Sequence, residues 1–310
     1  MQRDNSAGLP TRAALQPDGL YLVLKDIPVA ELRDPFMHQS VARVDAGERI
    51  IRLDLSAAGA GAAPAGIVFH VGRCGSTALS QALKQIGGLA VYSEPLPVNE
   101  LLSPPRGSRA QVIAGLRALG GAFAAHAGGP YVLKLSSWAT LFCDVIAEAF
   151  PASPWVFCVR DPLEVGEAIL RDPPPWIAGE TEAARHIAAI IGAEPRAIAP
   201  EQYFARVYAA FCESVLRLDP GRGRLIEYAA LNQALFETLL PHFGVQPNAA
   251  DEQRMRESLS GYAKAPLARP APFAPDAARK RADASPALRA AVEAIAHPAL
   301  ERVRTALAHR

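Results

Sequence analysis

The fold is decided by one stretch of sequence, FHVGRCGSTALSQAL at residues 69–83, in which an apolar run leads through a glycine-rich turn into a helical pattern. The apolar run over 67–71 is short and unbroken, which is typical of a buried parallel strand. A strand, a glycine-rich turn and a helix in this order direct backbone N–H groups and the positive end of the helix at an anion. The stretch therefore predicts a turn that binds phosphate or sulfate.

Further strands and helices alternate along the rest of the chain. The short apolar runs that predict the other strands lie at 89–92, 131–135, 155–159 and 224–228. Helical patterns between and after them lie at 109–127, 138–150, 163–171, 180–193 and 199–217. Alternation of this kind predicts a parallel sheet that helices cover on both faces. The expected fold class is α/β, a P-loop-type three-layer sandwich with a central parallel sheet of about five strands.

The beginning of the chain has a different character. Residues 1–60 are expected to form an N-terminal extension that packs on an α/β domain over 61–310. Residues 1–19 are polar and broken by proline and glycine, so we expect them to fray. The next part, 20–55, has two strand-like runs, and the small residues of 57–66 indicate a linker.

Composition excludes several classes of protein. The 310 residues include 32 basic and 31 acidic side chains, a balance that argues against a surface for nucleic acid or anionic lipid. No window approaches the ~18 apolar residues of a membrane span, so no stable membrane insertion is expected. The N-terminus lacks the apolar core of a signal peptide, which favours a cytoplasmic protein. The four cysteines have no CxxC spacing and are expected to be reduced thiols.

The turn differs from the loop that binds nucleoside triphosphates, which reads GxxxxGK[ST]. Here Ser76 and Thr77 follow Gly75 directly, no lysine precedes them, and the cation of the turn is Arg73. The predicted anion-binding residues are consecutive: Gly72, Arg73, Cys74, Gly75, Ser76 and Thr77. They suit a phosphate or a sulfate but lack the lysine that reaches a γ-phosphate. The planar fork of Arg73 also suits an oxyanion and a leaving oxygen.

Three segments together resemble a known family. GRCGST is similar to the 5′-phosphosulfate loop of sulfotransferases that use 3′-phosphoadenosine-5′-phosphosulfate (PAPS), which reads roughly [RK]-x-G-[ST]-[ST]. The resemblance continues at YSEP, residues 92–95, and at VRDPLEV, residues 159–165, which is similar to the family's 3′-phosphate motif. Weaker matches lie at 262–266 and in the basic triplet 279–281. The resemblance implies PAPS as the donor, with no metal, and a small-molecule, lipid or glycan acceptor.

The resemblance also implies roles for single residues. Glu94 would be the base that takes the proton of the acceptor, Arg160 would bind the 3′-phosphate, and Lys280 would close on the donor from the late basic loop. One position departs from the family's pattern, because Ala168 stands eight residues after Arg160 where the family has a serine. The departure puts the strength of 3′-phosphate binding in doubt. Arg171 is a possible local substitute.

Two further candidates come from their places on strands. His70 ends the first strand of the parallel sheet beside the turn and is the rival base, although a histidine in an apolar strand is more often a core residue. Lys134 interrupts an apolar strand, where a lysine rarely stays buried without a partner. It could contact the sulfuryl group or pair with Glu94, or it could lie on an edge strand with its charge in solvent.

Two other functions remain open at this point. A P-loop phosphotransferase or nucleotide hydrolase would need Mg²⁺ held by Ser76 or Thr77 and a strand-end aspartate such as Asp161. A nucleotide- or anion-binding protein without turnover is the third possibility. The acceptor pocket is expected in the loops over 95–108 and 172–180 and in parts of 199–217, and the oligomeric state is left open.

Overall fold

The computed structural model describes residues 7–55, 62–103, 107–178, 181–261, 263 and 276–307. Within these residues the strands form a three-stranded antiparallel sheet and a five-stranded parallel sheet. The strands are β1 (Leu9–Gln16), β2 (Gly19–Lys25), β3 (Glu48–Leu53), β4 (Gly66–His70), β5 (Ala90–Ser93), β6 (Tyr131–Lys134), β7 (Trp155–Val159) and β8 (Gly223–Glu227).

Helices connect and cover these strands. They are α1 (Met37–Arg43), α2 (Ser76–Leu83), α3 (Leu96–Leu102), α4 (Arg109–Ala127), α5 (Cys143–Ala149), α6 (Pro162–Arg171), α7 (Pro175–Ala178), α8 (Glu182–Ile191), α9 (Pro200–Val215), α10 (Leu231–Ala234), α11 (Leu240–His242), α12 (Ala249–Ser260), α13 (Ala277–Asp283), α14 (Pro286–Ala291) and α15 (His297–Leu307). None of the described helices is long and apolar enough to cross a membrane.

The parallel sheet confirms the predicted α/β class. Its strand order is β5-β6-β4-β7-β8, and all its pairings are parallel. Every residue of β4, β6 and β7 is buried, as expected for strands with helices on both faces. After β4 the chain forms β5 and β6 on one side of that strand and then β7 and β8 on its other side. The direction in which strands are added therefore reverses between β4 and β7. In open α/β sheets, ligands bind outside the carboxyl ends of the strands at such a point.

The antiparallel sheet corrects one expectation about the N-terminal part. Residues 9–16 were expected to fray, and this was wrong, because they form β1 and pair with β2. Leu9, Ala13 and Leu15 alternate along β1 and are buried against α3 and α4. The backbone N–H of Ala13 donates to a carboxylate oxygen of Glu100 at 2.7 Å. The alternation is short and interrupted by polar residues, so these residues form a strand because they pair with β2 and pack on α3.

The two ends of helix α4 are marked by local sequence signals, a capping pair at its start and a glycine at its end. The helix covers Arg109–Ala127, as predicted from the sequence. The Ser108 hydroxyl accepts a hydrogen bond from the Gln111 N–H at 3.3 Å, and the Gln111 side chain accepts one from the Ser108 N–H at 2.8 Å. This reciprocal pair satisfies N–H groups that the first turn leaves without helical partners. Gly128 ends the helix at φ +64, a conformation that glycine adopts without steric cost.

Candidate active site

One cavity of about 900 Å³ opens at the carboxyl ends of β4, β5, β6 and β7. The residues that the sequence predicts for donor binding and sulfuryl transfer line it: His70, Gly72, Arg73, Cys74, Gly75, Ser76, Thr77, Glu94, Lys134, Arg160 and Lys280. Four neighbouring strands contribute to this set, because the turn follows β4, Glu94 follows β5, Lys134 ends β6 and Arg160 follows β7. Residues far apart in sequence thus share one concave surface.

The turn between β4 and α2 has a backbone that glycine makes possible. Gly72 lies at φ +79 and Gly75 at φ +84. A Cβ on Gly75 would lie 2.6 Å from the Leu231 Cδ1 and 2.7 Å from the Tyr228 Cδ2, so a side chain is excluded there by space as well as by φ. Ser76 and Thr77 start α2, are buried and line the cavity. The helix therefore begins at the cavity wall, where its first N–H groups lack helical partners.

Arg73 is the cation of this turn. Its guanidinium donates to the carboxylate of Asp172 and, at 3.1 Å, to the Asp172 carbonyl oxygen. The Arg73 side chain is 28% exposed and that of Asp172 is 75% exposed, so the pair lies where solvent reaches it. An ion pair this exposed contributes little stability, and an anionic ligand can replace it at small cost.

Cys74 lies in the turn but has a packing role in this structure. It is buried, and burial raises the pKa of its thiol above the ordinary value. A thiol in such surroundings is a poor nucleophile, because the thiolate is the reactive form. The Cys74 side chain therefore packs inside the turn and does not act as a nucleophile in this structure.

Glu94 and Lys134 form an ion pair in the wall of the cavity. The Lys134 ammonium donates to the Glu94 Oε1, and the Glu94 N–H donates to the Lys134 carbonyl at 2.6 Å. Lys134 is 1% exposed and lies on β6, an interior strand, so the edge-strand alternative considered from the sequence does not apply. Its ammonium also lies 5.4 Å from the centre of the Phe36 ring. Glu94 supplies the partner that a buried lysine requires.

Backbone strain coincides with this site. Among the described residues, Arg73 and Glu94 are the non-glycine residues with positive φ, and both lie at φ +51. Such a conformation costs an ordinary residue about 1–2 kcal/mol and clusters at functional sites. Within the part of the chain that the structure describes, this strain therefore falls on two residues that the sequence predicts to take part in chemistry.

His70 has both ring nitrogens in hydrogen bonds with the backbone. Its Nδ1 accepts from the Gly72 N–H at 3.0 Å, and its Nε2 lies 2.8 Å from the Leu135 carbonyl oxygen. These partners fix a neutral ring with its proton on Nε2, because a carbonyl oxygen can only accept. The Nε2 also lies 3.9 Å from the Glu94 Oε1. His70 is 4% exposed and connects the turn to the strand end beside Glu94.

Arg160 lies in a second group of charges at the other side of the cavity. Its Nε donates to Glu164 at 2.6 Å, and its Nη2 donates to the Asp276 Oδ1 at 2.6 Å. The Asp276 Oδ2 lies 2.8 Å from the Lys280 ammonium. The guanidinium carbon of Arg160 lies 4.1 Å from the centre of the Tyr228 ring. Arg160 and Lys280 thus converge on one point, where a carboxylate now sits.

The pKa values in this group follow the ion pairs. Burial alone would raise the pKa of Asp276, but hydrogen bonds from Lys280 and Arg160 outweigh it and lower the pKa below its ordinary value. Burial lowers the pKa of Lys280, although Asp276 opposes the shift. The shift at Lys280 reflects the partial removal of its ammonium from water, whereas the shift at Asp276 reflects the two cations beside it.

The other predicted residues near this group take different places. Ala168 is buried and lines the cavity, with a methyl group at the position of the missing hydroxyl. Arg171 also lines the cavity and pairs with Glu167 at 2.7 Å. Of the basic triplet, Lys280 reaches the cavity, whereas Arg279 pairs with Asp283 at 3.1 Å and Arg281 pairs with Glu164 at 2.7 Å. Tyr262 and Lys264 of the weaker tail match lie outside the described residues.

The cavity wall differs in part from the predicted acceptor loops, which stay a prediction. Of the described residues in the three predicted segments, Asp172 and Pro174 line this cavity. Residues 96–102 form α3 beside β1, and α9 is largely buried in packing against α6 and α15. The sequence reasoning missed the wall residues Phe36, Tyr228, Leu231, Asn232, Gln233, Leu259 and Asp276. A signal for some was present, since 228–233 directly follow the last predicted strand.

The placement of the described acidic, histidine and cysteine side chains bears on whether they could hold a metal ion together. Among the described residues, no group of three or more His, Cys, Asp or Glu side chains is placed to hold a metal ion. Asp161, the aspartate that a magnesium-dependent reaction would use, accepts from the Leu163 N–H at 2.8 Å at the start of α6. Its other oxygen faces Arg281 at 3.7 Å. Asp161 therefore acts in this structure as a helix cap.

Comparisons with known proteins give distant structural similarity. No protein-family model matches the chain, and no curated protein matches it. Among solved structures, a sulfotransferase from Alicyclobacillus acidocaldarius is similar, with 17% identity, a TM-score of 0.46 and coverage of 80% of this chain and 97% of that one. The sulfotransferase domain of the Synechococcus PCC 7002 olefin synthase has 14% identity, a TM-score of 0.46 and coverage of 76% and 95%. A sulfotransferase from Mycobacterium avium has 10% identity, a TM-score of 0.42 and coverage of 66% and 69%.

Proposed function

We propose that this chain is a sulfotransferase that moves a sulfuryl group from PAPS to a hydroxyl or an amine of an acceptor. One observation supports this function above others: a single cavity joins the anion-binding turn with Arg73, the Glu94–Lys134 ion pair and the converging cations Arg160 and Lys280. PAPS carries a 5′-phosphosulfate and a 3′-phosphate, so it needs two separate anion sites with a reacting centre beside one of them.

The donor would lie across the switch point between β4 and β7. The turn over 72–77 would hold the 5′-phosphosulfate with its backbone N–H groups, the hydroxyls of Ser76 and Thr77, and Arg73. Arg160 and Lys280 would hold the 3′-phosphate. The proposal assigns no metal, because arginine, lysine and backbone N–H groups meet the charge of the donor.

Transfer would proceed in line between two oxygens, with Glu94 as the base. The acceptor oxygen attacks sulfur, the bond from sulfur to the 5′-phosphate oxygen breaks, the proton of the acceptor passes to Glu94, and 3′,5′-ADP leaves. Glu94 is favoured over His70, because the Nδ1 of His70 already accepts from Gly72 and its Nε2 faces a carbonyl oxygen. Lys134 and Arg73 would offset the charge that develops on the sulfuryl and leaving oxygens.

The acceptor would enter along the wall that the sequence reasoning missed. Leu231, Leu259 and Phe36 give this wall an apolar character, and Asn232 and Gln233 add hydrogen-bonding groups. Such a surface suits a small molecule, a lipid or a glycan with a hydroxyl among apolar groups.

A phosphotransferase is less well supported by the same residues. The turn lacks the lysine of a triphosphate loop, and Asp161 caps α6 and does not line the cavity in this structure. A protein that binds nucleotide without turnover would share both anion sites but would not need Glu94 beside a buried lysine.

Thermal stability with nucleotides tests the choice. A ligand that binds the folded state raises the melting temperature according to its concentration and affinity. We expect 3′,5′-ADP without magnesium to stabilise the protein, and ATP with magnesium to have little effect. Stabilisation by ATP with magnesium alone would reverse the assignment in favour of the phosphotransferase.

A further inference from the structure

Two buried cations on one side of the cavity share a single carboxylate. Asp276 accepts from the Arg160 Nη2 with one oxygen and pairs with the Lys280 ammonium through the other, at 2.6 and 2.8 Å. The side chains of Arg160 and Lys280 are only 5% and 6% exposed. Because both carboxylate oxygens bridge the cations, Asp276 occupies the point at which an anionic group of a ligand would bind.

The charges around this point are already balanced. Ion pairs up to 3.7 Å link three arginine or lysine side chains with three carboxylates: Arg160, Lys280 and Arg281 with Asp161, Glu164 and Asp276. A phosphate group would bring up to two further negative charges into this group. Like charges at short distance in a partly buried site repel strongly, so a carboxylate must withdraw before a phosphate can bind.

Asp276 is the carboxylate that can withdraw. Its side chain is 32% exposed and lines the cavity, whereas the Glu164 side chain is 4% exposed and lies between Arg160 and Arg281. Asp276 stands at the start of α13, yet its carboxylate accepts no capping hydrogen bond from that helix. Movement of its side chain would therefore not cost the helix a cap.

We infer that Asp276 sets the preference of this protein for a 3′-phosphate, by competing with that phosphate for Arg160 and Lys280. The inference rests on the proposed donor. Asp276 weakens discrimination between 3′,5′-ADP and 5′-AMP, which differ only in the 3′-phosphate. The effect adds to that of Ala168, which offers no hydroxyl to the same site.

The test is calorimetric titration of 3′,5′-ADP and 5′-AMP into the wild type and Asp276→Asn. The measured quantity is the ratio of the Kd for 5′-AMP to the Kd for 3′,5′-ADP. Loss of one charge-assisted competitor is expected to raise this ratio about tenfold or more in Asp276→Asn. The affinity for 5′-AMP should stay unchanged and reports that the site is intact. Asp283→Asn is the matched control, because it removes one carboxylate from the same helix at a position that pairs with Arg279.

The outcomes separate this inference from the proposed function. A ratio that stays the same or falls in both Asp276→Asn and Asp276→Ser, while the wild type prefers 3′,5′-ADP, overturns the competition and leaves the donor in place. A fall would mean that Asp276 positions the two cations for the phosphate. If neither the wild type nor Asp276→Asn distinguishes the two nucleotides, PAPS is not the donor and the proposed function fails. A rise of similar size in Asp283→Asn would show an effect of net charge and would also overturn the inference.

Discussion

Glu94 and Lys134 are joined twice, by an ion pair between their side chains and by a hydrogen bond of 2.6 Å from the Glu94 N–H to the Lys134 carbonyl. The second bond continues the pairing of β5 with β6 by one residue beyond Ser93. It holds Glu94 at φ +51, where the side chain reaches the cavity. Sheet pairing therefore fixes the distance between the proposed base and a buried cation.

Glu94→Gln should separate binding from turnover. Gln keeps the shape and an oxygen that accepts from Lys134, but it cannot take a proton. We expect nearly unchanged affinity for 3′,5′-ADP and a fall in turnover of about 10²–10⁴-fold. Single-turnover transfer from PAPS, with nucleotide affinity from calorimetry, provides both numbers. Full activity of Glu94→Gln would remove this residue from the base role.

His70→Asn is expected to act on stability more than on the pH dependence of transfer. The substitution disturbs hydrogen bonds to Gly72 and Leu135, each worth about 0.5–1.5 kcal/mol in unfolding free energy. Denaturant unfolding measures this loss of stability. The pH profile of transfer by the folded variant measures any effect on proton transfer. A variant that folds like the wild type but has lost all transfer would assign the base to His70.

Two substitutions of Arg73 should differ in stability and agree in function. Both Arg73→Ala and Arg73→Gly remove the guanidinium, so both should weaken the binding of 3′,5′-ADP and slow transfer. Glycine adopts φ +51 at little cost, whereas alanine is strained there, so Arg73→Gly should be the more stable by about 1 kcal/mol in unfolding free energy. Wild-type nucleotide binding in either variant would exclude the turn from the donor site.

Gly75→Ala should damage the turn without altering any charge. The new methyl group would overlap Leu231 and Tyr228, and φ +84 is unfavourable for alanine. Overpacking costs roughly 1–3 kcal/mol, to which the backbone adds about 1 kcal/mol. We expect a lower midpoint of denaturation and weaker binding of 3′,5′-ADP. Gly121→Ala is the control, because a Cβ at Gly121 meets nothing within 4 Å.

Substitutions at two residues of the proposed 3′-phosphate site should change the preference for 3′,5′-ADP in opposite directions. Arg160→Ala removes a charge-assisted contact worth ~1.5–3 kcal/mol, so preference for 3′,5′-ADP over 5′-AMP should fall at least tenfold. Ala168→Ser adds a hydroxyl to the cavity wall and should raise the preference modestly. An affinity ratio that neither change alters would show that 159–168 do not contact the 3′-phosphate.

The parallel sheet could be predicted because its signals are local. Each strand is a short apolar run bounded by turn residues, and the capping pair of Ser108 and Gln111 marks the start of α4. The strand β1 could not be predicted in this way, because Pro10 and Arg12 interrupt its apolar pattern. These residues form a strand because they pair with β2. The short helix α3 was likewise missed, since it is stabilised by packing on β1 and α4.

The sequence could predict those parts of the candidate site that stand at the ends of parallel strands. Arg73, Glu94, Lys134 and Arg160 all stand at strand ends, and parallel strands bring such ends to one edge. Asp276 is 116 residues from Arg160 along the chain, and nothing local marks it as a partner. The pairing of Asp172 with Arg73 across 99 residues is equally invisible in the sequence.

The most direct test of the central claim follows the sulfuryl group itself. Wild-type protein is incubated without magnesium with PAPS labelled in the sulfuryl group and with a phenol, a long-chain alcohol, an amine and a sugar as acceptors. The account predicts that label passes to at least one acceptor while 3′,5′-ADP accumulates mole for mole, and that Glu94→Gln slows both about 10²–10⁴-fold. A wild-type protein that binds PAPS tightly but leaves all label on the nucleotide with every acceptor would contradict it.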